Sequence, residues 1–79
     1  MDREDLLSRM TRIWVDVLEI ESLSIDDDFF DLGGDSLLAL KIASAAAAEG
    51  LPVRPSEVLR RLTVRELVDA LEDPALSGR

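Results

Sequence analysis

Between Glu4 and Leu18 the apolar residues Leu6, Leu7, Met10, Ile13, Trp14, Val17 and Leu18 return at steps of three and four, the spacing that a helix gathers onto one face. Such a stripe has to be buried against other elements, and Trp14 sits in its middle as a core residue rather than as a platform for a ligand. Asp2 is placed to cap the helix, with Asp5 three residues on, and acids in a first turn suit the helix dipole.

From Glu19 to Asp35 no period is sustained, and a long surface connection is expected. Phe29 and Phe30 would be costly to expose side by side, so at least one of them should plug the core. Gly33 and Gly34 allow a tight backbone turn, and either Asp35 or Ser36 can cap a second helix over residues 36–49. That helix is apolar nearly all round. Lys41 and Ser44 mark its solvent side, and a four-residue step back puts Leu37 there too. Ala39, Ile42, Ala43 and Ala46 form the opposite, buried side, with Leu38 and Leu40 on the flanks.

Gly50 is a natural stop for this helix, and Pro52 and Pro55 forbid its continuation. A short third helix over residues 56–61 is expected after Pro55. Thr63-Val64-Arg65-Glu66 fits a capping box, and Leu62 with Leu67 fits a hydrophobic staple. Leu67, Val68 and Leu71 give the last helix its stripe, and Asp73-Pro74 ends it. The pattern predicts an all-α fold, a small four-helix bundle of three main helices plus a short third one. A single domain over residues 1–79 is expected, ordered over about 3–73 with a frayed tail at 74–79.

Chain length sets the energetic frame: 79 residues allow one core, and a core of this size rarely supplies more than about 3–5 kcal/mol of net stability. Oligomerisation is not required, and a monomer is expected. With no cysteine in the sequence, neither disulfides nor thiolate-bound metals contribute. The longest apolar run, around Ala45-Ala46-Ala47-Ala48, is far too short to span a bilayer, and the acidic N-terminus is no signal peptide. A cytoplasmic protein is expected. The net charge of −8 argues against nucleic acid or an anionic membrane as partner. Five acids, Asp26, Asp27, Asp28, Asp31 and Asp35, fall within ten residues. Asp26-x-Asp28 opens like a calcium loop, but Asp31 stands where that loop needs glycine and Leu37 where it needs the bidentate glutamate, so no metal site is expected.

Ser36 follows the double glycine at a helix N-terminus, where unpaired N–H groups and the helix dipole favour an anion. Gly34-Asp35-Ser36-Leu37 is similar to the motif of a serine-hydrolase family. A nucleophilic serine needs a base, however, and the chain contains no histidine. Ser36 therefore reads as an attachment point, or in isolation as an ordinary cap.

The stretch from Phe29-Phe30 through Gly33-Gly34 to Ser36-Leu37, with a helical segment before it and Leu62 to Leu67 after it, resembles the phosphopantetheine-attachment motif of carrier proteins. It is most similar to the peptidyl carrier, or thiolation, proteins of nonribosomal peptide synthetases. Fatty-acid-type acyl carriers share the Asp-Ser-Leu core but usually continue into a strongly acidic helix. Here Leu38-Ala39-Leu40-Lys41-Ile42-Ala43 follows, favouring the peptidyl type over an acyl carrier of a polyketide or fatty-acid pathway. The resemblance implies a carrier without catalytic residues. A phosphopantetheinyl transferase, using coenzyme A and Mg²⁺, would place 4'-phosphopantetheine on Ser36, with Gly33, Gly34 and Asp35 shaping the turn. The arm's thiol would hold an aminoacyl group loaded by an adenylating enzyme and delivered to condensation, tailoring or thioesterase enzymes. The methionine start and lack of a linker would suit a free-standing carrier, and an excised domain would look the same. An unmodified helical adaptor would have no need of the Gly-Gly-Asp-Ser turn.

Leu37 and Lys41, beside the arm on the solvent side, are expected to meet partner enzymes. Arg54, Arg60, Arg61 and Arg65 crowd around the third helix. Arg60 and Arg61 could form a second docking surface, or the cluster could pair with Glu57, Glu66 and Asp69 as weak surface bridges.

Overall fold

The computed structural model describes residues 2–72, and within them the chain forms four helices and no strand: α1 Arg3–Leu18, α2 Ser36–Ala48, α3 Pro55–Arg61 and α4 Val64–Glu72. The expected stop at Asp73-Pro74 and the tail lie outside the described residues. Local chemistry sets each boundary. The Asp2 carboxylate accepts the Asp5 N–H at 2.8 Å, which starts α1 one residue earlier than expected. Glu19 closes it in the left-handed region at φ 55°, donating its N–H to the Val15 carbonyl. Ala48 ends α2, and Gly50 follows at φ 79°. Pro55 takes the first helical position of α3, where its missing N–H costs nothing. The Thr63 hydroxyl accepts the Glu66 N–H at 3.1 Å, the capping half of the expected box, without a return bond from Thr63 N–H to the Glu66 carboxylate among the described residues.

Helix α1 packs on α2 and α4, α2 packs on α3, and α3 packs on α4. Their buried stripes meet in one core in which Met10, Trp14, Ile42, Val58, Val64, Leu67 and Val68 are fully covered, and Phe29 of the α1–α2 connection joins them. Trp14 and Phe29 meet edge to face at 5.3 Å, a geometry that suits aromatic quadrupoles. The Trp14 Nε1 is buried with no hydrogen-bond partner among the described residues, so the indole contributes through its apolar area and its ring contact.

The two faces of α2 fall as the spacing implies: Ala39, Ile42, Ala43 and Ala46 are buried, while Leu37, Lys41 and Ser44 are exposed. Leu38 and Leu40 lie on the two flanks as expected, but the flanks are covered unequally. The flank with Leu38 is partly covered by the core, but Leu40 is 54% exposed.

The long α1–α2 connection is stitched to the α3–α4 junction. Phe29 N–H donates to the Leu62 carbonyl at 2.7 Å, and Arg65 N–H donates to the Ile25 carbonyl at 3.0 Å. Leu62 holds that carbonyl in place from the left-handed region, φ 69°, a conformation costing about 1–2 kcal/mol for a residue with a Cβ. The Arg65 guanidinium grips Asp26 with two bonds, 2.6 Å to Oδ1 and 2.9 Å to Oδ2, and this hydrogen bonding holds the Asp26 carboxyl below its usual value. The expected ion pairing is borne out at Glu57 and corrected at Arg65 and Asp69. Arg65 pairs across the fold rather than within its helix, and Asp69 pairs with Arg3. Glu57 bonds Arg61 at 3.0 Å and lies 3.9 Å from Arg60.

The burial pattern gives a direct test by urea denaturation. Ile42→Ala should cost about 2–5 kcal/mol, whereas Leu40→Ala should stay within about 0.5 kcal/mol. The reverse order would mean that the faces of α2 are inverted.

Candidate functional site

The turn before α2 begins with Asp28, whose carboxylate accepts the N–H groups of Phe30 at 2.9 Å and Asp31 at 3.2 Å. The backbone then doubles back: Leu32 N–H donates to the Asp28 carbonyl, Gly33 N–H to that of Phe30 and Gly34 N–H to that of Phe29. This brings Gly34 directly against the Phe29 ring. A Cβ at Gly34 would stand 2.5–2.6 Å from three ring carbons of Phe29, while one at Gly33 would meet nothing within 4 Å. Gly33 is required for another reason, its φ of 92°, which residues with a Cβ rarely adopt. Phe30, the second aromatic, lies 52% exposed with its ring 5.7 Å from that of Phe29.

Asp35 rather than Ser36 caps α2. Its Oδ1 accepts the Leu38 N–H at 2.9 Å, and its carbonyl accepts the first helical bond, from Ala39. Ser36 is therefore the first residue of the helix, exposed to solvent, and its hydroxyl has no hydrogen-bond partner among the described residues. The backbone N–H groups of Ser36 and Leu37 are unpaired among the same residues, at the positive end of the helix dipole. Exposure alone does not select Ser36, because Ser8, Ser22, Ser24, Ser44 and Ser56 are also exposed; Ser77 lies outside the described residues. Of the described serines, Ser36 is the one that follows the Gly33-Gly34 turn at the start of a helix.

Among the described residues the exposed large apolar side chains are Phe30 at 52%, Leu37 at 61% and Leu40 at 54%. All three fall between the start of the turn and the second turn of α2, with Lys41 exposed beside them. Helical geometry points to Leu37 and Lys41 from the sequence. It does not single out Phe30 or Leu40, although Leu40 stands one helical turn from Ser36 on the same stripe. On α3, the Arg60 side chain is 71% exposed, whereas that of Arg61 is 20% exposed and bonded to Glu57. No helix of the described residues is long and apolar enough to cross a membrane.

The contact between Gly34 and the Phe29 ring can be probed by a double-mutant cycle. Gly34→Ala should cost about 1–3 kcal/mol through overpacking, and a smaller ring-free side chain, Phe29→Leu, should lessen that cost. Gly33→Ala should destabilise through its backbone angle, with no such relief from Phe29→Leu. Equal costs of Gly34→Ala in both backgrounds, read by thermal denaturation, would contradict the contact.

Comparison with known proteins bears on the same residues. A family described as phosphopantetheine attachment site matches residues 8–71. A linear gramicidin synthase polypeptide of Brevibacillus parabrevis is 43% identical over 67 residues, 85% of this chain and 1% of that protein, so the chain spans a very small part of this relative. Two solved structures share the fold. The type-II acyl-carrier-protein BlmI of Streptomyces verticillus, involved in bleomycin biosynthesis, is 27% identical with a TM-score of 0.80, the match covering 89% of this chain and 86% of BlmI. A structure described as a non-ribosomal PCP domain is 29% identical with a TM-score of 0.77, covering 82% of this chain and 84% of that one.

Proposed function

The chain belongs to the phosphopantetheine attachment-site family, a carrier family that is not itself catalytic, and from that membership we propose that Ser36 bears the prosthetic group and presents an aminoacyl or related acyl thioester to partner enzymes. The group is 4'-phosphopantetheine, covalently attached. The observation that carries the assignment to Ser36 is the built turn. Phe29, Gly33 and Gly34 hold the backbone so that Asp35 does the capping and the Ser36 hydroxyl is left exposed without a partner among the described residues.

The residues present fit the group. A phosphodiester on Ser36 Oγ is a mobile anion beside two unpaired N–H groups at a helix N-terminus, a favourable setting. In the transfer, Ser36 Oγ would attack the phosphorus on the pantetheine side of coenzyme A, the Oγ–P bond forming as the pyrophosphate P–O bond breaks and the nucleotide half leaves. No side chain among the described residues is bonded to Ser36 Oγ, so the hydroxyl proton would pass to a base of the transferase. When bound, the arm supplies a terminal thiol that holds the acyl group as a thioester. The exposed end of α2 leaves that arm in solvent, where a tether raises the effective concentration of its cargo at each partner in turn.

The peptidyl type is favoured by α2 itself, whose sequence from Ser36 to Ala48 contains no acid. The near-equal likeness to BlmI and to the non-ribosomal PCP domain supports a second reading, an acyl carrier. Loading by an amino-acid-adenylating enzyme rather than by an acyl-loading one separates the two. The proposed partner surface is Leu37 and Lys41, with Phe30 and Leu40 beside them. A further contact through Arg60, and through Arg61 next to it, would add a charged docking point on α3. The family reading implies a phosphopantetheinyl transferase, a loading enzyme and downstream enzymes as partners, and a cytoplasmic place of work.

Incubation with coenzyme A and a broad-specificity transferase should add one phosphopantetheine to the wild type and none to Ser36→Ala, as read by intact mass. Because Ser36 does not cap α2, the variant should unfold at nearly the wild-type temperature. A Ser36→Ala protein that still gained the group would overturn the assignment. In the loaded protein, Leu37→Ala and Lys41→Glu should slow transfer to at least one partner enzyme while leaving the melting temperature unchanged. Unaltered rates with every partner tested would remove these residues from the surface.

A further inference from the structure

Arg65 stands in sequence within the basic cluster around α3, but its guanidinium reaches back across the fold to Asp26 with two hydrogen bonds, 2.6 and 2.9 Å long. The neighbouring backbone makes two more ties between the same segments, from Arg65 N–H to the Ile25 carbonyl and from Phe29 N–H to the Leu62 carbonyl. Phe29 is in turn the floor of the turn: its ring meets Gly34 and its carbonyl accepts the Gly34 N–H, two residues before Ser36. A continuous set of contacts thus runs from the first turn of α4 through residues 25–29 to the start of α2. Its side-chain link is at the surface, with Arg65 47% and Asp26 61% exposed. Exposed pairs contribute little to global stability, yet a planar guanidinium holding both oxygens of a carboxylate fixes orientation.

We propose that Arg65, through its grip on Asp26, is a positioning residue for the Ser36 hydroxyl: it holds residues 25–29 against α4 so that the Phe29–Gly34 turn presents the serine to the transferase already in register. This rests on the reading that Ser36 is the acceptor. Neither backbone tie uses the Arg65 side chain, so loss of the grip lets these bonds open more often and loosens the turn without unfolding the bundle. A transferase would then have to order the turn on binding, which raises KM and leaves kcat as it was.

The test compares wild type, Arg65→Gln, Asp26→Asn and the charge-swapped double variant Asp26→Arg/Arg65→Asp, with two readouts. The first is amide hydrogen exchange of the unmodified proteins, followed by NMR at Phe29 and Gly34. The second is steady-state phosphopantetheinyl transfer with coenzyme A. Each single variant should speed exchange at Phe29 and Gly34 and raise KM roughly two- to fivefold, the range of an exposed pair, with kcat and melting temperature unchanged. The double variant should recover at least part of both effects, since the pair re-forms with its charges exchanged. Unchanged exchange at both amides in Arg65→Gln would overturn the proposal. So would failure of the double variant to recover KM, which would make Arg65 a direct contact of the transferase. Absence of modification in the wild type itself would instead reject the Ser36 reading on which the proposal rests.

Discussion

The packing of the Phe29 ring between Trp14 and Gly34 is the contact on which the rest of the structure depends. It joins the core to the turn. Without a large side chain at residue 29 the long α1–α2 connection would lack its deepest apolar anchor, and a side chain at residue 34 would force that anchor out of its present seat. Aromatic burial of this kind is worth several kcal/mol, a large share of what a core of this size supplies. The turn before Ser36 is therefore not an appendage on a finished bundle; it is built on a core residue.

This coupling explains the division of work around Ser36. Capping a helix and offering a free hydroxyl are competing uses of one serine, and the chain separates them. Asp35 takes the cap, Gly33 supplies the left-handed angle, Gly34 makes room for the ring, and Ser36 is left facing solvent. The same arrangement leaves Leu37 and Leu40 on the open side of α2. Their exposure costs little because Ala39, Ile42, Ala43 and Ala46 carry the packing.

Much of this is legible in the sequence where the signals are local. The period of α1, the cap at Asp2, the cap at Thr63 and the prolines before α3 are short-range features, and each boundary falls within a residue of its expected place. Long-range features are not legible. Nothing near Arg65 points to Asp26, 39 residues away, and the nearer acids Glu66 and Asp69 are misleading guides. Leu62 adopts a left-handed angle that a glycine would have advertised. The exposure of Leu40 escapes the sequence because a helix apolar nearly all round has no contrast between faces, so only the neighbouring helices decide which flank is covered. At the site, the alternatives of Asp35 or Ser36 as cap, and of Phe29 or Phe30 as plug, rest on identical local chemistry until the turn geometry chooses between them.

The central claim is that this turn exists to carry a group on Ser36, and the most direct measurement is fragment mass spectrometry of the wild-type protein after reaction with coenzyme A and a transferase. The account predicts that the whole phosphopantetheine mass resides on Ser36. Modification at Ser8, Ser22, Ser24, Ser44 or Ser56, or divided among several serines, would contradict it.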